Sequence, residues 1–206
     1  MKRGYLALLI AVAAYAQDFP PSPGLTVRQK WRNFTDETVT PLALGAGAFN
    51  AAFSQATNSD PRYGVGSIAL AQRFGASMGD LASQNFFGDF MLASAFHEDP
   101  RYFRLGSEHG FWARFGYAVS RSVVIHKDSG PDTFNWSNVL GTAMSTGLSN
   151  AYYPPPSRTS GAMLLHFGTG VAGAGFANLL PEFLPDFTHW LERHPKLHRF
   201  VPAGRH

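Results

Sequence analysis

Apolar side chains recur every three or four residues along most of this chain, which is the period of an α-helix. Over 66–96, Ile68, Leu70, Phe74, Met78, Leu81, Phe86, Phe90 and Leu92 mostly keep that spacing, while Arg73, Asp80 and Asp89 mark a polar face. Phe111, Phe115, Val119 and Val123 stand at every fourth position and predict a helix over 111–125. Further helices are predicted over 136–152, closed by Pro154-Pro155-Pro156, and over 160–180, followed by a shorter, broken one in "PEFLPDFTHWLERH". An earlier run sets Leu42, Leu44, Phe49 and Phe53 among small residues and ends at Asn58-Ser59-Asp60-Pro61. β-Branched residues are few and strict alternation is hard to find, so strands are not expected. The pattern predicts an all-α fold, one compact bundle of five to six helices rich in Gly, Ala and Phe.

The first residues do not belong to that bundle. "MKRGYLALLIAVAAYAQDF" has Lys2 and Arg3, an apolar run too short to span comfortably, and Ala14-Tyr15-Ala16. Those three parts make a secretory signal peptide cleaved after Ala16. The expected organisation is a signal at 1–16, a Pro-containing leader and amphipathic start at 17–35, one bundle domain at 36–192, and a basic, His-containing tail at 193–206. The chain has no cysteine, which excludes both a disulfide framework and lipid attachment at Cys. Export without disulfides points to the periplasm or cell envelope.

Charge narrows the partners. The whole chain carries a formal net charge of +3, but losing Lys2 and Arg3 leaves 15 basic against 14 acidic residues. No basic footprint for nucleic acid survives that loss. Only 15% of residues are charged, well below the roughly 25% of ordinary soluble domains. Residues 38–59, 133–157 and 159–181 contain no Asp, Glu, Lys or Arg, and small residues crowd "LGAGAFNAAF" and "GTGVAGAGFANLL". Small-residue helices with aromatic flanks suit lipid. Asn50, Gln55, Asn138, Ser145, Ser149 and His166 interrupt the apolar character, so a soluble or membrane-peripheral bundle is favoured over an integral one. The expected partner is lipid or a membrane surface.

Chemistry concentrates in "AFHEDPRYFR", where His97, Glu98, Asp99, Arg101 and Arg104 crowd together. "SDPRYG" at 59–64 repeats the Asp-Pro-Arg-Tyr, and Asp before Pro suits a helix N-terminus, so Asp99 is read as a cap. Arg114 and Arg121, two turns apart, share a helix face. Buried arginines need carboxylates, and the expected structural network is Glu98, Asp99, Arg101, Asp128, Glu182 and Asp186. Arg101 is expected to be held by a carboxylate from another segment, Asp128, Glu182 or Asp186. Arg101, Arg104, Arg114 and Arg121 are also the candidates for binding a phosphate or lipid headgroup, because Arg forks match phosphate oxygens. His97, His126 and Asp128 are the candidate catalytic groups. A metal could draw on His97, Glu98 or Asp99 with His126 and Asp128, but no spacing matches a known signature. No metal and no cofactor are expected.

Two resemblances bear on function. "SRSVVIHKD", with Ser120, Arg121, His126 and Asp128, resembles the last motif of membrane-associated acid phosphatases of the phosphatidate type. That family uses a histidine nucleophile backed by Asp, with Arg on the phosphate; its Lys-containing first motif and Ser-Gly-His second motif are missing here. The wider succession "QRFGASMGD", "HEDPRYFR", "FWARFGYAVSRSVV", "KDSG…FNWSNVLG", "GLSNAYYP…R" and "PEFLPDF" is similar to a family of exported bacterial proteins with no assigned activity. The match makes His97, Asp99, Pro100, Arg101 and Tyr102 characteristic, with Arg114 and Arg121 on the next helix. Asp128, Asn135, Asn150, Tyr152, Tyr153, Arg158, Glu182 and Asp186 complete the set, whereas Glu98 and His126-Lys127 depart from the family's phrases. The resemblance implies an exported unit and no reaction. The sequence therefore reads as a non-catalytic envelope bundle associating with lipid, or alternatively as a hydrolase acting on a phosphate or ester at a His/Arg/Asp cluster.

Overall fold

The computed structural model describes residues 24–193; the expected signal peptide, the start of the leader and nearly all of the tail lie outside them. Helix α1 (Val27–Thr38) begins in a capping box, with Thr26 Oγ1 accepting from the Gln29 amide and Gln29 Oε1 accepting from the Thr26 amide. Helix α2 (Pro41–Ala56) starts with Thr40 as its cap and Pro41 in the first turn, where a missing N–H costs nothing. The long expected helix forms as α3 (Ser67–Gln84), a π-helical segment (Asn85–Leu92) and the short α4 (Ala93–Phe96). After a loop come α5 (Phe111–Ser120), α6 (Trp136–Ser149), α7 (Ser160–Ala177) and α8 (Leu179–Glu192). The mostly helical bundle takes in α1 as well, through the buried Lys30.

A small sheet was not expected. Strands β1 (Glu98–Asp99), β2 (Val124–Lys127) and β3 (Asp132–Phe134) pair antiparallel in the order β1-β2-β3. The predicted third helix therefore stops at Ser120 rather than 125. Val123, Val124 and Ile125 form a β-branched run, and "KDSGP" closes it into a hairpin with Gly130 at φ +108°. The fourfold Phe/Val spacing ran on into this strand only because Val123 satisfies both patterns.

Large apolar groups lie outside and polar groups inside. The largest fully buried side chains are Arg73, Lys30, Glu98 and Glu182, while Ile68 is 76% exposed, Phe49 71% and Trp112 78%. Helix α6 shows the inversion turn by turn: Trp136, Leu140, Met144 and Leu148 point outward, and Ser137, Gly141, Thr142, Ser145, Thr146 and Ser149 point inward. Helices meet through small residues and hydroxyls. Ser83 and Ser145 Oγ atoms are 2.7 Å apart, and a Cβ on Gly141 would stand 2.6 Å from the Gly88 backbone. Ser160–Trp190 is long and apolar enough to cross a membrane, and 6% of its apolar window is buried, so it is not a core helix.

Candidate functional site

The "HEDPRYFR" stretch leaves the long helix at His97, whose backbone is left-handed (φ +55°) and whose side chain is exposed. Glu98 turns inward. Its Oε2 accepts from the Ser137 amide at the start of α6, where a helix N-terminus favours an anion. Asp99 does not cap a helix, because no helix starts there. It accepts from the Arg101 amide at 3.1 Å, an Asx turn, and from Arg101 Nε and Nη2 at 2.9 and 2.5 Å. Arg101 is thus paired with Asp99, not with Asp128, Glu182 or Asp186. The earlier copy keeps only the ion pair, with Arg62 Nε 3.4 Å from Asp60, for there the Arg62 amide donates to Ser157 Oγ instead. In both copies the aspartate holds the arginine two residues on.

Glu182 is the hub that joins α8 to the rest. Its carboxylate accepts from Arg114 Nε at 2.7 Å, Tyr102 Oη at 2.8 Å, and the amides of Leu105 and Gly106 at 3.0 and 3.3 Å. Arg114 also reaches the Glu182 carbonyl and, through Nη1, Asp186. Arg104 donates to the same carbonyl and stands 3.4 Å from Asp186. Apart from Asp186, on the same helix, every one of these groups comes from 102–114, far from Glu182 in sequence. Burial, and then the Glu182 carboxylate, push the Tyr102 hydroxyl well above its ordinary range, so it stays protonated and donates.

His126 sits between two aspartates across the sheet, opposite Asp99 on β1 and Asp132 on β3. Its Nδ1 is 2.7 Å from Asp132 Oδ1 and its Nε2 is 3.0 Å from Arg121 Nη2; Arg121 Nη1 also reaches Asp132 at 2.8 Å. With the proton on Nδ1, the ring donates to Asp132 and accepts from Arg121. Both ring nitrogens are thereby engaged, whereas a base or nucleophile needs one aimed at substrate. Asp128 goes elsewhere: Lys30 Nζ, from α1, binds its Oδ2 at 2.6 Å. The side chains of His97 and Asp128 are therefore not gathered around His126, although the Asp128 amide donates to the His97 carbonyl at 2.8 Å. Among the described residues, no group of three or more His, Asp or Glu is placed to hold a metal.

Burial opposes ionisation of Asp132, but the hydrogen bonds from His126 and Arg121 outweigh it and hold the carboxyl below its ordinary range. A depressed acid stabilises the fold above its unfolded pKa, and that contribution is lost as pH falls through the folded value. Melting temperature should therefore drop on acidification below about pH 4, and Asp132→Asn should flatten that part of the profile. A variant with the parent's acid limb would overturn the pairing.

A cavity of about 510 Å³ opens beside Arg121 and His126. Arg101, Tyr102, Arg121 and His126 form one side, Gln84, Asn85 and Asp89 of the long helix another, with Glu37 on α1 and Gly170 and Gly173 on α7. Of the expected ligand-binding arginines, Arg101 and Arg121 face it; Arg104 and Arg114 are drawn instead to Glu182 and Asp186. No family model, curated protein or solved structure matches the chain.

Sequence reasoning missed Lys30, Asp132, Glu37 and Asp89, and a second polar cluster around Asp80. Tyr152 and Tyr153 each donate to Asp80 at 2.6 Å, and His166 lies 3.8 Å from it. Of this cluster, Tyr152 and Tyr153 stand among the characteristic positions of the resemblance, whereas Asp80 closes "QRFGASMGD" and was read only as a helix-face charge.

Proposed function

We propose that this protein is a non-catalytic helical scaffold of the cell envelope that associates with a membrane. Ser160–Trp190 crosses the bilayer, and the apolar flanks of the shorter helices lie against its interface. The observation that carries this reading is the inverted surface: large apolar groups outside, Ser, Thr, Asn and ion pairs within. Water favours the opposite arrangement, since soluble monomers rarely expose apolar patches beyond a few hundred Å². Lipid favours this one, because small residues let helices approach and buried hydroxyls satisfy one another. The exposed Trp31, Trp112, Trp136 and Trp190 suit the headgroup level, where an apolar ring with a polar edge is at home. Export rests on the N-terminal signal and on the likeness to exported bacterial proteins. The non-catalytic reading draws on the engaged nitrogens of His126 and the capture of Asp128 by Lys30.

An alkaline carbonate wash of membranes containing the full chain tests the proposal. The protein should stay in the pellet and leave it only with detergent. Release into the carbonate supernatant would overturn it.

A further inference from the structure

The charges around the cavity do not cancel. Arg101 is matched by Asp99, and Arg121 by Asp132, to which the neutral His126 ring also donates. Glu37, at the exposed end of the cavity, and Asp89, deeper within it, have no hydrogen-bond or ion-pair partner among the described residues. Among the described residues, the lining Glu37 and Asp89, with Asp99 and Asp132 behind them, set four carboxylates against the guanidiniums of Arg101 and Arg121. Asp89 is surrounded by protein atoms yet faces the open volume. Burial, and then Glu37, raise its carboxyl to about 7, as expected of an acid deprived of a cation. Even a half-buried carboxylate with no counter-charge is costly to keep.

We propose that this cavity binds a ligand bearing an ammonium group, its positive charge held between Glu37 and Asp89. The neighbouring amides fit that role. Gln84 and Asn85 donate their nitrogens to Thr142 and Thr38, which leaves their carbonyl oxygens as acceptors. An ammonium has up to three N–H donors, and two carboxylates with an amide oxygen match them. A bare divalent cation suits the site less well. It wants about six oxygen ligands at close range, and a volume of about 510 Å³ is the size of a small organic molecule's pocket. The π-helical turn, which is wider than an α-turn, is the segment that carries Asp89. Gly170 and Gly173 of α7, which the proposed function sets in the bilayer, form part of its wall, so the amine is either that of a lipid headgroup or a free molecule.

Calorimetric titration of the full chain in non-ionic detergent tests the site. The probes are ethanolamine, its neutral counterpart ethylene glycol, and mixed micelles of phosphatidylethanolamine or phosphatidylglycerol. An amine probe should bind saturably, and Asp89→Asn or Glu37→Gln should weaken it at least about tenfold, a loss of about 1.4 kcal/mol. Glu108→Gln, at an exposed carboxylate outside the cavity, should leave binding unchanged. In the unaltered protein, ethanolamine should outbind ethylene glycol, or phosphatidylethanolamine outbind phosphatidylglycerol, by a similar factor. Binding of the lipid alone identifies a headgroup; binding of ethanolamine as well identifies a free amine; both support the site. No preference for the amine in either pair, calcium binding in place of an amine, or unchanged binding in both variants would overturn it. A protein released by carbonate that still binds ethanolamine would sink the membrane reading and leave this one standing.

Discussion

Glu182→Ala should destabilise the fold by about 3–5 kcal/mol, the cost of breaking a buried ion pair by removing one partner. Glu182 is fully buried, and its carboxylate serves Arg114, Tyr102 and the amides of Leu105 and Gly106 at once. Truncation strands two backbone N–H groups and a hydroxyl, each costing on the order of 1–3 kcal/mol when left unmade in the interior. Arg114→Ala should be comparably severe, because it leaves the Glu182 carboxylate buried without its guanidinium. Arg101→Ala should cost less, about 1–2 kcal/mol. Its side chain is about a third exposed, Asp99 keeps the hydrogen bond from the backbone of residue 101, and water from the adjoining cavity can fill the vacated space. Thermal melts in detergent give the order directly. If Arg101→Ala melts lower than Glu182→Ala, the hub has been assigned to the wrong carboxylate.

Gly141→Val should be the most disruptive single change at a helix crossing. A Cβ at Gly141 would meet the Cα and N of Gly88 at 2.6 Å, so backbone rather than a movable side chain stands in the way. Overpacking costs typically about 1–3 kcal/mol even where side chains can shift. Here α6 itself must move off the π-helical segment that carries Asp89. Melting temperature and amine binding should fall together, with helix content retained. Gly147→Ala is the control. Nothing lies within 4 Å of its Cβ position, and Ala is favoured over Gly inside a helix by roughly 0.5–1 kcal/mol. Equal melting of the two variants would mean that the close crossing does not form in solution.

Most of the helices were legible because their signals are local: the spacing of Phe, Leu and Ile over 66–96 and 111–120, and the prolines after Tyr153 that close α6. Helix α1 was read only as an amphipathic start, although Thr26 and Gln29 form a capping box there. The hairpin at 124–134 had a local signal too, Val-Val-Ile before Asp-Ser-Gly, but Val123 also fitted the helical spacing of Phe111 and Phe115. Which face of each helix turns inward was not legible. In α6 the apolar stripe of Trp136, Leu140, Met144 and Leu148 and the small, hydroxyl-bearing stripe opposite have the same period. Periodicity marks two faces without saying which is covered; that depends on the surrounding solvent and on which stripes fit together closely. Ion-pair partners were equally undetermined. Arg101 took the aspartate two residues away, while Lys30 and Asp128, 98 residues apart, found each other. A charge in the sequence states a need for a partner, and only the packed chain decides which opposite charge comes within reach. Glu37 and Asp89 show the remaining case, for the tertiary structure brings them to one cavity and supplies no cation from the described chain.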